Sequence, residues 1–137
     1  MSKNTYLDTV VLIAAAVGTR DISDKAFSLL AEGVQGQRKF VGSDFLKIET
    51  IPKAVFHKNR DEEEFYNTYF QMCEYWANFD KDTLDKAIEH ASEYGMSSID
   101  ALHVISAYKG SAQELITGEK KTKPMFRTPL LEVTSIR

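Results

Sequence analysis

Four acidic side chains stand where a globular chain has little structural need of them. Asp8 closes the segment Thr5–Asp8 and precedes an apolar run. Glu49 borders an apolar helix face, four residues after Phe45 and one after Ile48. Asp100 lies inside MSSIDALHVISA, one turn before Val104, and Glu119 follows LITG, two residues after Thr117. Acids are seldom buried unless they are paired or hold a metal. Each also has a plain structural use. Asp8 can cap the helix that follows it, and Asp100 stands three residues after Ser97 in a capping box. Glu49 can be a partly exposed helix residue, and Glu119 a turn residue beside a strand. As a set they imply a cost: two carboxylates about 5 Å apart repel by about 3 kcal/mol at an effective dielectric of 20. A divalent cation, or protonation of one acid, relieves it. All-oxygen ligands favour Mg²⁺ or Mn²⁺ over zinc, and three scattered histidines with one cysteine make no zinc pattern.

For those acids to meet, the elements must bring distant segments to one rim. Thr5–Asp8 reads as a strand and Thr9–Val17 as a helix stopped by Gly18. Asp21–Gly33 reads as a second helix, with Ile22, Ala26, Leu29 and Leu30 inward. Lys39–Gly42 is a short strand. Ser43 or Asp44 then caps a helix that Pro52 is expected to kink or split. Asp61–Phe79 reads as one long helix with a core stripe of Phe65, Tyr69, Met72 and Trp76. Asp82 or Thr83 opens the next, with Leu84, Ala87, Ile88 and Ala91 inward and Gly95 at its end. Ser97 starts another that runs to about Tyr108, and Gln113–Thr117 and Glu132–Ile136 read as strands. Strands separated by helices imply a mostly parallel sheet with helices on both faces. Ligands of such sheets bind beyond the carboxyl ends of the strands, where Asp8 and Thr117–Glu119 fall.

The 137 residues suit a single domain spanning the whole length, with 43% hydrophobic and 27% charged side chains. Seventeen basic against twenty acidic residues give a net charge of −3, so contact with nucleic acid must come from a local patch. The densest is Lys120, Lys121, Lys123 and Arg127 in GEKKTKPMFR. No stretch approaches the ~20 apolar residues of a membrane span. The apolar run Val10–Val17 sits where a signal-peptide core would, but it follows Asp8 and only Lys3 precedes it as a cation. A lone Cys73 suits a reducing compartment, and the expected location is the cytoplasm.

In order along the chain, YLDTVVLIAA, SDFLKIETIPKA, SSIDALHVISA and LITGEKK resemble the four motifs of the PIN-domain family. These are metal-dependent ribonucleases that include the toxins of many toxin–antitoxin pairs. The resemblance covers nearly the whole chain, and SSIDALHVISA is its strongest element. It implies a three-layer α/β/α sandwich with about four or five strands. It also implies a site in which Asp8, Glu49 and Asp100 occupy the family's acidic positions. The closing motif departs from the family's usual Asp, because Thr117 and Gly118 precede a glutamate, Glu119.

The implied activity is metal-dependent hydrolysis of RNA phosphodiester bonds with Mg²⁺ or Mn²⁺. Asp8 and Asp100 would bind the metal, Glu49 would hold a bound water or act as base, and Glu119 would complete the site. The Thr117 hydroxyl would orient water or phosphate. His103, one turn beyond Asp100, is expected to pack or hydrogen-bond. The four basic residues would grip RNA phosphates, or simply form a solvated loop. Tyr66 and Phe70 widen the apolar arc of their helix beyond one core face, which suggests a surface for a second copy or an antitoxin, or else a wider core. Because glutamate reaches one methylene further than aspartate, a catalytically weak PIN-like binding protein is the alternative. A small nucleotide-binding or signalling domain is disfavoured, since there is no Gly-rich phosphate loop.

Overall fold

The computed structural model describes residues 2–18 and 22–137. Among them the elements run β1 (Lys3–Leu7), α1 (Thr9–Val17), α2 (Ser23–Val34), β2 (Arg38–Ser43), α3 (Asp44–Phe56), α4 (Arg60–Met72), β3 (Tyr75–Ala77), α5 (Lys81–Tyr94), α6 (Ser98–Lys109), β4 (Glu114–Thr117) and β5 (Glu132–Ser135). A short 3₁₀ turn, Pro124–Arg127, precedes β5. The expected helix start at Asp21 lies outside the described residues.

The five strands form one sheet in the order β3-β2-β1-β4-β5, and every pairing is parallel. The chain steps outward from β1 to β2 to β3, then returns across both to β4. Right-handed crossovers therefore put α1–α4 on one face and α5–α6 on the other. The central strands are buried on both sides, which is why Tyr6, Leu7, Val41, Leu115 and Ile116 are all inaccessible or nearly so. The point where the winding reverses lies between β1 and β4.

At the amino ends of the strands sits a compact ion network. Arg38 of β2 bonds Glu114 of β4 at 2.9 Å and Thr5 of β1 at 3.0 Å, and it also pairs with Glu32 of α2. Lys3 of β1 adds contacts to Glu114 at 3.2 Å and to Glu132 of β5 at 3.5 Å. Glu114 is buried, yet two bases answer it.

Four expectations are corrected. Asp61–Phe79 is not one helix: α4 stops at Met72, and Tyr75–Ala77 forms the edge strand β3 beside Val41–Ser43. The aromatic spacing is helix-like only by coincidence, because Trp76 lies over Gly42, where an added Cβ would come within 2.5 Å of the ring. Tyr66 and Phe70 belong to the interior, together with Tyr69, so they form no external surface; Met72 faces outward instead. On α5, Thr83, Ala87 and His90 face inward while Leu84 and Ile88 are exposed. Polar contacts set that rotation: Lys109 bonds both Asp80 and Thr83, and His90 meets the Thr128 hydroxyl at 2.8 Å. Pro52 does not split α3. Proline withholds an N–H from the carbonyl four residues back, which is that of exposed Ile48, where water can serve it.

Candidate active site

Asp8 follows β1 directly and caps α1, accepting the Val11 N–H at 3.1 Å. Its own N–H extends the β1–β4 ladder to the Ile116 carbonyl. The carboxylate is thus locked at the winding reversal, only 4% exposed. Thr117, the last residue of β4, donates its hydroxyl to Asp8 Oδ2 at 2.5 Å, and the Glu119 N–H donates to that same hydroxyl oxygen at 3.0 Å. Burial pushes the Asp8 carboxyl above its ordinary range. The hydrogen bonds from Thr117 and Val11 and the nearby imidazole of His103 oppose this, and the charge of Glu119 adds to it.

Glu49 enters from α3. Its Oε1 accepts the Thr9 hydroxyl at 2.5 Å and lies 2.8 Å from His103 Nε2 of α6. Burial acts to raise this carboxyl, but the bonds from His103 and Thr9 outweigh it and hold Glu49 below the usual glutamate value. Behind the imidazole, the Tyr6 hydroxyl lies 2.9 Å from His103 Nδ1 and 3.0 Å from the Ser43 hydroxyl. Ser43 in turn caps α3 by accepting the Leu46 N–H at 3.1 Å. The Tyr6 and His103 rings meet edge to face, and Phe45 packs on the other side of the imidazole at 4.8 Å between centroids.

Asp100 occupies the first turn of α6, three residues before His103 and therefore on the same helix face. The Ser97 hydroxyl accepts its backbone N–H, so the capping use foreseen for this segment is met by Ser97. The Asp100 carboxylate takes no partner among the described residues. Glu119 lies 4.0 Å from Lys123.

Two clusters thus adjoin at one rim: Asp8, Thr117 and Glu119, and beside them Glu49, Thr9, His103 and Tyr6. Among the described residues no three His, Cys, Asp or Glu side chains close into a metal-ligand group. The contacts link Asp8 to Glu119 through Thr117 and Glu49 to His103, whereas Asp100 is placed by its turn of α6 alone. Of the basic residues, Lys120, Lys121 and Lys123 are exposed in the loop after β4. Arg127 points elsewhere, donating to the Tyr94 carbonyl at the end of α5. Beside the rim, Phe45, Ile48, Phe79 and Leu102 line an apolar cleft of about 400 Å³.

The sequence pointed to Ser43 and His103 but not to Thr9, which bonds Glu49, or to Tyr6, which bonds the imidazole behind it. The available signal was their position on either side of Asp8. A tyrosine two residues before the acid, in a strand buried on both faces, must find a partner for its hydroxyl.

No family model and no curated protein matches the sequence. Solved structures do match. A chain of the VapBC2 complex from Rickettsia felis, bound to a DNA fragment from its promoter, aligns with a TM-score of 0.69 at 17% identity, over 96% of this chain and 98% of that one. A toxin–antitoxin complex from Klebsiella pneumoniae aligns at 0.65 and 18% identity, over 97% and 98%. DNA-bound VapBC from Salmonella typhimurium aligns at 0.68 and 14% identity over the full length of both chains. At these identities the likeness establishes architecture: the chain has the three-layer PIN-like fold of chains found in toxin–antitoxin complexes.

Proposed function

We propose that the protein is a divalent-metal-dependent endoribonuclease that cleaves RNA phosphodiester bonds, and that it acts as the toxin of a toxin–antitoxin pair. The observation that carries this reading is Asp8. It is an acid buried at the winding reversal of a parallel sheet, raised by its desolvation, and answered by no lysine or arginine among the described residues. The donor set suits a hard cation, being all carboxylate and hydroxyl oxygen. Mg²⁺ or Mn²⁺ would be held there through one or two carboxylates and several waters. Asp8 and Asp100 would hold the ion, with Glu119 reaching it through water. Bound there, a divalent cation polarises a phosphoryl oxygen and lowers the pKa of its water.

The remaining work falls to the chain's own groups. Glu49 takes up or orients the proton of the attacking water. Thr117 fixes the Asp8 carboxylate by Oδ2. Lys120, Lys121 and Lys123 meet the phosphates, and Arg127 is left mainly to the end of α5. The antitoxin partner follows from the kind of complex in which the structural neighbours occur. The exposed apolar cleft at Ile48 and Phe79 supplies a surface for a second copy. A cytoplasmic location belongs to the same reading, and among the described residues no helix is long and apolar enough to cross a membrane.

Glu119 favours a second reading, a catalytically weak PIN-like binding protein, because Lys123 stands against its carboxylate. Unfolding in EDTA, Mg²⁺ and Mn²⁺, for wild type and Asp100→Asn, tests the site without knowledge of the RNA target. With ~10 mM cation and a dissociation constant near ~0.1 mM, the wild type gains about 2.7 kcal/mol. Asp100→Asn loses most of that gain. No gain in either protein would reduce Asp100 to a helix-end residue and leave the binding-protein reading. Cleavage of RNA that stops on Asp8→Asn separates the two readings once a substrate is found.

A further inference from the structure

The inner wall of the site is a continuous polar chain, Ser43–Tyr6–His103–Glu49, in which Tyr6, Ser43 and His103 are all buried. Its hydrogens have one arrangement that leaves every donor satisfied around a neutral imidazole. The Glu49 carboxylate can only accept, so Nε2 of His103 carries the ring proton. Nδ1 is then an acceptor, and the Tyr6 hydroxyl donates to it. Tyr6 oxygen in turn accepts from Ser43, whose own oxygen already takes the Leu46 N–H. Thr9 donates to the same Glu49 oxygen that His103 does. Both bonds therefore converge on Oε1, and Oε2 is left without a partner among the described residues.

We propose that His103 is a positioning residue: with its tautomer set by Tyr6, it clamps Glu49 by Oε1 and leaves Oε2 free for the water that attacks the substrate. The role of that water rests on the ribonuclease reading, whereas the clamp does not. A histidine used only as core filling would need no defined tautomer, and Phe45 would pack against either one.

The test is ¹⁵N NMR of the full chain with labelled histidine at about pH 8, above the ordinary imidazole range. His103 is assigned by the loss of its signals in His103→Gln. Protonated Nε2 with bare Nδ1 is expected in wild type, and a mixture of tautomers in Tyr6→Phe. A wild-type ring protonated at Nδ1 would overturn the proposal, as would a Tyr6→Phe spectrum identical to wild type. On an RNA substrate, His103→Leu should lower kcat roughly 10–100-fold with KM little changed. His103→Gln, which can restore an N–H donor, should recover part of the loss. Equal losses in both variants would mean a packing role alone. Should the wild type cut no RNA, the ring tautomer still decides the clamp, and the failure falls on the ribonuclease reading.

Discussion

The two ends of the sheet carry the same kinds of charge and treat them in opposite ways. At the amino ends, Glu114 is buried but meets Arg38 and Lys3, which also bond Glu32 and Glu132. At the carboxyl ends, Asp8 is equally buried but among the described residues meets only hydroxyl and amide donors, and the Asp100 carboxylate takes no partner among them. A buried carboxylate that has bases around it is finished; it holds four strand starts in place. A buried carboxylate without a base remains open to a cation from outside. The contrast teaches that burial of an acid says little about its use until its partners are counted.

Breaking the finished end should produce the largest effect. Arg38→Ala strips Glu114 of its main partner and should cost about 3 kcal/mol of stability, the lower end for an orphaned buried charge because Lys3 stays. Urea unfolding checks this; a loss under about 0.5 kcal/mol would mean that the network is screened surface charge. The open end should respond in the reverse sense. Asp8→Asn keeps the helix cap through its amide oxygen and turns the Thr117 contact round, so that the amide N–H donates to the hydroxyl oxygen, while removing the desolvated charge; in EDTA at neutral pH it should melt roughly 3 °C higher than wild type.

The pH dependence sharpens the same contrast. The folded Asp8 carboxyl lies above its unfolded value, so the native state binds the proton more tightly, and this group favours folding as the pH falls. The advantage of Asp8→Asn over wild type should therefore shrink on going from neutral pH toward the ordinary aspartate range. Glu49 runs the other way. Its folded carboxyl lies below its unfolded value, so its contribution is present above the usual glutamate range and disappears as the pH drops through the lowered value. Thermal melts across that range, with Glu49→Gln as reference, separate the two. The smallest stability effect belongs to the exposed loop. Lys120→Ala with Lys121→Ala should change stability by less than about 0.5 kcal/mol, yet weaken RNA binding and flatten its salt dependence. An unchanged salt slope would remove those lysines from the substrate path.

Much of this arrangement was legible in the residues. Asp8, Gly18, Ser97 and Gly95 mark their helix ends chemically, so α1 could be bounded correctly, and α5 and α6 nearly so. The alternation of strands with helices indicated the parallel sheet, and the four motifs supplied the candidate acids. What failed did so where tertiary contacts override local pattern. Tyr75–Ala77 became a strand because an edge was free beside β2, and Asp44 then held Trp76 and Phe79 through its two carboxylate oxygens. The inward face of α5 followed Thr83 and His90 and not the larger Leu84 and Ile88. The clamp on Glu49 was hidden for a different reason: Tyr6, Thr9, Glu49 and His103 come from three separated segments, and no spacing along the chain reveals a shared hydrogen bond.

The bond between Thr117 and Asp8 spans 109 positions. Synthesis delivers β1 first and its partner β4 only after α1 to α6, and the strand cannot be flanked on both sides until then. On the ribosome, the first acid of the site therefore waits through the making of α1 to α6 before its carboxylate is fixed. Any chain that stops before residue 117 lacks the Thr117 hydroxyl that fixes the Asp8 carboxylate, so the rim cannot be completed until β4 has been made.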